Sequence, residues 1–331
     1  MDADDLALFW AAIVAVSILI YVILDGFDLG VGILFGTTRD ETHRVQMMNS
    51  IAPFWDGNET WLVMIGITLF AAFPVVYTVF LGAFYMPVLL LMVGLIFRGV
   101  AFEYRYRTQS TRWLWDRGFS IGSTIVAFVQ GAAIGGVMRG IPVKDNQFAG
   151  DSMYWLAPFP LLTGLGLVLG YALLGAGWLV MKSEGTLRDW AHARIAWLAA
   201  AVLLVLGVAG ILTLDHSTIT QGHWDDRRWG TIFPVIGALA LLGVVLGSRR
   251  RRDAVPFAMT VVFFIAAFAT LAVMFWPYMI PYSITIADAA APRSSLSFFF
   301  YGAGVVVLPV IVAYTIRVYW IFRGKVTRGY E

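Results

Sequence analysis

Nine apolar runs leave this chain of 331 residues few ways to fold. They cover residues 6–35, 51–73, 75–101, 119–138, 159–181, 191–214, 231–246, 257–280 and 297–322. A bilayer core takes about 20 apolar residues as a helix, and a backbone in lipid must satisfy its own hydrogen bonds. The runs therefore predict an all-α polytopic membrane protein with nine transmembrane helices in a single transmembrane domain, residues 1–331. Nine spans allow a division into two four-helix bundles plus one last, peripheral helix. Charged residues make up 13% of the chain, about half of what a soluble domain carries. That excludes a wetted globular surface. A net charge of +2 offers no footprint for nucleic acid. Residues 1–5 carry acids and no base, and no small-residue cleavage site follows the first run, so no cleavable signal peptide is expected.

Basic residues set the expected orientation. With nine spans, 18 of the 23 Lys and Arg fall on the side of the C-terminus and five on the other. Cytoplasmic loops carry the excess of positive charge, so the C-terminus is expected in the cytoplasm and the N-terminus outside.

Acids at membrane depth are costly and mark pathways or partners. Here they gather in the first three spans. Asp25 and Asp28 are three residues apart and share a helix face. They are expected near the inner boundary, as a proton antenna facing the cytoplasm. Asp56 and Glu59 repeat that spacing. Pro74 fixes the far end of the second span, and a count of about 20 residues back from it places Asp56 and Glu59 inside the membrane. Arg98 lies near the inner end of the third span, which Pro87 should bend. Its expected partners are Glu103, Asp56 or Glu59, with snorkelling to lipid phosphate as the competing use.

Other chemistry is thin. There is no cysteine, hence no disulfide, thiolate metal site or iron–sulfur cluster. The four histidines, His43, His192, His216 and His223, fall in or beside loops, away from where a buried haem would need its axial ligand. Gly164, Gly166 and Gly170 have nearly the spacing of a dinucleotide loop but sit inside an apolar span, where close helix packing is the expected use.

Three blocks carry a family resemblance: Asp25-Gly26-Phe27-Asp28-Leu29-Gly30, then Trp55-Asp56-Gly57-Asn58-Glu59-Thr60-Trp61, then Phe97-Arg98-Gly99-Val100-Ala101-Phe102-Glu103. With Pro277-Tyr278-Met279-Ile280-Pro281 and Ile286-Ala287-Asp288, they resemble subunit II of the cytochrome bd quinol oxidases across essentially the whole chain. The lack of an extended loop is similar to the shorter, cyanide-insensitive branch. The resemblance implies a subunit of a quinol:dioxygen oxidoreductase in the bacterial cytoplasmic (inner) membrane. Its haems, haem b and haem d (or b), would be carried by a subunit I partner, with none on this chain. It also implies quinol and dioxygen as substrates, membrane lipid around the complex, and room for a small single-span subunit and for a quinone or lipid held by this chain. Asp56 matches the family position tied to proton uptake from the cytoplasm, and Asp25 and Asp28 match its inner acidic motif. The rival reading is an ion-coupled secondary transporter. Such a protein usually shows interrupted spans in matching halves near the midplane, whereas these acids bunch at one edge.

Overall fold

The computed structural model describes residues 2–107, 109–215 and 225–326. His216, His223 and the C-terminal residues from 327 lie outside them. Among the described residues, eight helices are long and apolar enough to cross a membrane. The chain begins with α1 (Ala3–Phe35), whose N-terminus is closed by reciprocal bonds between Asp2 and Asp5. α2 (Glu41–Ile51) is short and polar. α3 (Trp55–Ala72) and α4 (Pro74–Ala83) meet at the buried Phe73. α5 (Tyr85–Tyr104), α6 (Arg112–Met138), α7 (Pro158–Lys182) and α8 (Gly185–Asp215) follow. The last three are α9 (Ile232–Arg249), α10 (Ala254–Phe275) and α11, which runs from Arg293 to Ile321 with π-type winding over Phe300–Val307.

Three expected spans are redrawn. The second run splits into the end of α2 and α3, whose 18 residues are not among the eight because Asp56, Asn58 and Glu59 occupy its first turns. The third run breaks into α4 and α5 at Phe84. Pro87 explains the position: it offers no N–H to the carbonyl of Ala83, and its ring crowds that carbonyl. The eighth run stops at Phe275, five residues early. Pro277 and Pro281 cannot continue a helix, and Tyr278–Ile280 pairs instead with Ile284–Thr285 in a small hairpin. A second hairpin, Val143–Lys144 with Gln147–Phe148, turns through Asp145 and Asn146, both at positive φ.

α1 is the axis of the assembly, packing on α3, α6 and α7. α7 joins α8 and α10, and α9 lies against α8 and α10. The crossing of α1 and α7 is a backbone contact: a Cβ on Gly30 would stand 1.8 Å from the Tyr171 carbonyl oxygen, and one on Gly175 would stand 2.4 Å from the Gly30 carbonyl carbon. Gly164 is used in the same way, against Gly131 of α6. Gly30→Ala should therefore destabilise the assembled protein by about 1–3 kcal/mol. Gly210→Ala, where nothing lies within 4 Å, should not. Thermal unfolding of the two variants checks this; equal midpoints would refute the crossing.

Two apolar cores flank the middle of α1. One surrounds Phe27, Phe54 and Trp178, with Phe27 stacked on Trp178 at 3.9 Å. The other surrounds Trp10, Phe73 and Phe84. Between them α1 presents the buried polar series Ser17, Tyr21, Asp25 and Asp28. At the end of the molecule that carries most of the basic residues, Arg105 is fully buried between Asp116 (2.6 Å) and Glu41 (2.7 Å), and Arg44 also meets Asp116 at 2.8 Å. Nearby, burial would push the Asp253 carboxyl up, but hydrogen bonds from Arg188 and Lys325 outweigh it and hold Asp253 below the usual carboxylate range.

Candidate functional site: a buried acidic cluster

α1, α3 and α5 bring their charged residues to one place. Asp25 and Asp28 come from α1, about 15 and 10 Å from its C-terminal end at 1.5 Å per residue. Both are wholly inaccessible. Glu59 comes from the second turn of α3, and Arg98 from α5, six residues before its end. Arg98 Nη1 donates to Glu59 Oε1 at 2.6 Å and lies 3.6 Å from Asp25 Oδ1. Its guanidinium stands 6.0 Å from the Trp55 ring. Snorkelling to lipid is ruled out for this chain, since Arg98 is 1% exposed.

Exposure within the chain differs between the two pairs of acids. Asp25 and Asp28, expected near the inner boundary, are buried because Gly26 and Gly30 let α7 close over that part of α1. Asp56, expected inside the membrane, lies on the surface of the chain in the first turn of α3. The helix starts at Trp55, so the count back from Pro74 ends where the helix does. Glu59 is intermediate, with its side chain 25% exposed. Glu103 is exposed, and Arg98 pairs with Glu59 and Asp25 instead.

Several uncharged residues complete the cluster. Asn58 Nδ2 donates to Asp28 Oδ2 at 2.6 Å and to the Leu24 carbonyl at 3.2 Å. Tyr319 of α11 donates to Asn58 Oδ1 at 3.0 Å. On the far side of Asp25, Tyr21 sits one turn earlier on the same face. Gln130 Nε2 donates to the Tyr21 hydroxyl at 2.7 Å, and the Tyr171 hydroxyl donates to Gln130 Oε1 at 2.9 Å. Among the described residues, both oxygens of Asp25, Oδ1 of Asp28, and Nε and Nη2 of Arg98 are buried without a hydrogen-bond partner. Sequence reasoning missed Asn58, Tyr319, Tyr21, Gln130 and Tyr171. Asn58 and Tyr21 had a signal, one lying between Asp56 and Glu59, the other four residues before Asp25. The other three come from distant helices and had none.

Three acids facing one guanidinium can hold, exchange and pass protons. A haem is a different requirement. His43 Nε2 is 3.1 Å from Thr186 Oγ1 and His192 Nδ1 is 2.9 Å from Ser248 Oγ, while the other nitrogen of each ring is buried against protein. Neither ring fits an axial haem ligand. Among the described residues, no group of three His, Cys, Asp or Glu could hold a metal ion.

Comparison with known proteins gives this geometry its context. The family model for cytochrome bd terminal oxidase subunit II matches residues 6–322. The chain is 32% identical to the cytochrome bd-I ubiquinol oxidase subunit 2 of Escherichia coli strain K12, over 99% of this chain and 97% of that one. It is 28% identical to the cytochrome bd ubiquinol oxidase subunit 2 of Bacillus subtilis strain 168, over 96% of each. Its fold superposes on a chain of the bd oxidase from Geobacillus thermodenitrificans with a TM-score of 0.75 at 16% identity, covering 96% of this chain and 99% of that one. None of these matches supports an ion-coupled transporter. A family match over nearly the whole length, together with the relatives' identity and coverage, leads to one conclusion: the chain belongs to the cytochrome bd terminal oxidase subunit II family.

Proposed function

We propose that this chain, as subunit II of a bd-type quinol oxidase, is the scaffold of a haem-bearing subunit I and supplies part of the proton route used in dioxygen reduction. The observation that carries the reading is the graded series of acids joined by Arg98. Asp56 is exposed, Glu59 is partly exposed, and Asp25 and Asp28 are buried, with Arg98 touching both Glu59 and Asp25. Burying an unbalanced charge costs several kcal/mol. With three acids against one guanidinium, a neutral cluster carries two acid protons, and these are the protons available for relay. Asp56 collects protons at the surface, Glu59 receives them, and Asp25 and Asp28 store them.

The haems of the complex, b-type and d-type (or b-type only), supply electron transfer to dioxygen and belong on subunit I in this reading. This chain's residues hold and move protons. Nine membrane spans, with α3 as the ninth, form one transmembrane domain of two four-helix bundles with α11 at the periphery. The C-terminus is cytoplasmic and the N-terminus outside, in agreement with the segregation of basic residues. Quinol, dioxygen and membrane lipid are the complex's small partners, with a small single-span subunit and a bound quinone or lipid as further components.

Expressed without subunit I, the chain should show no Soret band; a stoichiometric haem in the isolated chain would overturn the division of labour. Asp56→Asn tests the surface step. In the assembled complex it should slow quinol-driven oxygen uptake about tenfold or more, with Asp56→Glu retaining part of the rate because it keeps a titratable group. Wild-type turnover by a fully haem-loaded Asp56→Asn complex would remove Asp56 from the route.

A further inference from the structure

The acidic cluster has one contact from the least buried of the long helices. Tyr319 reaches in from α11 and bonds Asn58, which bonds Asp28. The amide has only one workable orientation. The Leu24 carbonyl can only accept, so Asn58 Nδ2 must face it, and Oδ1 is left for the Tyr319 hydroxyl. That orientation also puts an N–H on Asp28 Oδ2 and leaves Oδ1 as the oxygen of Asp28 without a hydrogen-bond partner among the described residues.

We propose that Tyr319 is a positioning residue for proton transfer: its hydroxyl locks the Asn58 amide, and the amide fixes Asp28 with Oδ1 as its open oxygen. This rests on the proton-route reading above. Without the hydroxyl, Asn58 Oδ1 becomes a buried acceptor with no donor, and the amide is held by the Leu24 carbonyl and Asp28 alone. A rotated amide would aim its oxygen at the carboxyl of Asp28, acceptor against acceptor.

A latch at the end of α11 keeps Tyr319 in register. The Lys182 ammonium donates to the carbonyl oxygens of Phe322 and Gly324, the last carbonyls of the helix and its extension. The Val326 N–H returns to the Lys182 carbonyl at 2.9 Å, and Lys325 pairs with Asp253 at 2.8 Å. Tyr319 is three residues before Phe322, within the turn that this latch secures. Its ring packs on Phe54 at 4.7 Å and on Phe27 at 6.4 Å, so ring and hydroxyl have separable roles. The other groups acting on Asp28 are Arg98 from α5, Glu59 from α3 and Asp25 on its own helix. Tyr319 and Asn58 differ from these in fixing its geometry without adding charge.

Tyr319→Phe removes the hydroxyl and keeps the ring. In the haem-loaded complex it should lower oxygen uptake about threefold or more and move the pH midpoint of uptake by about half a unit or more. Added to Asp28→Asn it should have no further effect, because the group it positions is already gone. A merely structural role would leave the pH midpoint in place, and would add to Asp28→Asn. If Tyr319→Phe has the wild-type rate and midpoint while Asp28→Asn is slow, the positioning role is wrong and the route stands. If Asp28→Asn itself turns over at the wild-type rate with full haem content, the route does not use Asp28 and both fail. Asn58→Ser breaks the same link from its other end and gives the same readings should the Phe variant lose haem.

Discussion

Arg98→Ala should leave little assembled complex in the membrane. Arg98 is the cation that ion-pairs with Asp25 and Glu59; it and Asp25 are buried, and Glu59 is partly exposed. Removing one partner of a buried ion pair typically costs about 3–5 kcal/mol, because the charge left behind keeps its desolvation penalty and loses its compensation. That is a large share of the marginal stability of any domain. Arg98→Lys should do less harm, since it keeps the charge while losing the planar fork that holds two carboxylates at once. The cause can be separated from simple loss of packing. Arg98→Leu combined with Glu59→Gln and Asp25→Asn removes the cation together with the two acids it pairs with, and should restore accumulation without restoring turnover. Haem content per unit of membrane protein, with size exclusion of the solubilised complex, reads both effects. If the triple variant accumulates no better than Arg98→Ala, charge imbalance is not what Arg98 prevents.

Asp25→Asn should have the second large effect, on rate instead of assembly. Asn is nearly isosteric and can occupy the same space between α1 and α7. It cannot release and regain a proton. If protons pass through the cluster, the step beyond Glu59 loses its acceptor. Oxygen uptake should fall about tenfold or more, at least about 1.4 kcal/mol of added barrier. Asp25→Glu should retain a measurable part of the rate. Asp28 does not stand in for Asp25: Asp25 meets Arg98, while Asp28 is held by Asn58.

Much of the fold was legible before any coordinates. Apolar length and turn residues pointed to the eight helices that, among the described residues, are long and apolar enough to cross a membrane, because a bilayer imposes one length and one hydrogen-bonding solution. The departures have local causes. Pro87 breaks a helix at Phe84 instead of bending it, and Pro277 ends α10 early. The site was legible in part. Asp25, Asp28, Glu59 and Arg98 were singled out as costly charges, and the structure brings those four together. Their relative depth was not readable, because it depends on how closely a second helix approaches. Gly30 against Gly175, far apart in the chain, sets that approach. For the same reason Tyr319 and Gln130 carried no signal: each becomes a partner only through the packing of a distant helix.

The most direct test of the buried cluster as a proton relay is oxygen uptake and the haem spectrum recorded on the same preparation of the Asp25→Asn complex. A proton relay through Asp25 gives a wild-type haem spectrum with oxygen uptake reduced about tenfold or more, and partial recovery in Asp25→Glu. A complex with wild-type haem content and wild-type oxygen uptake would contradict it.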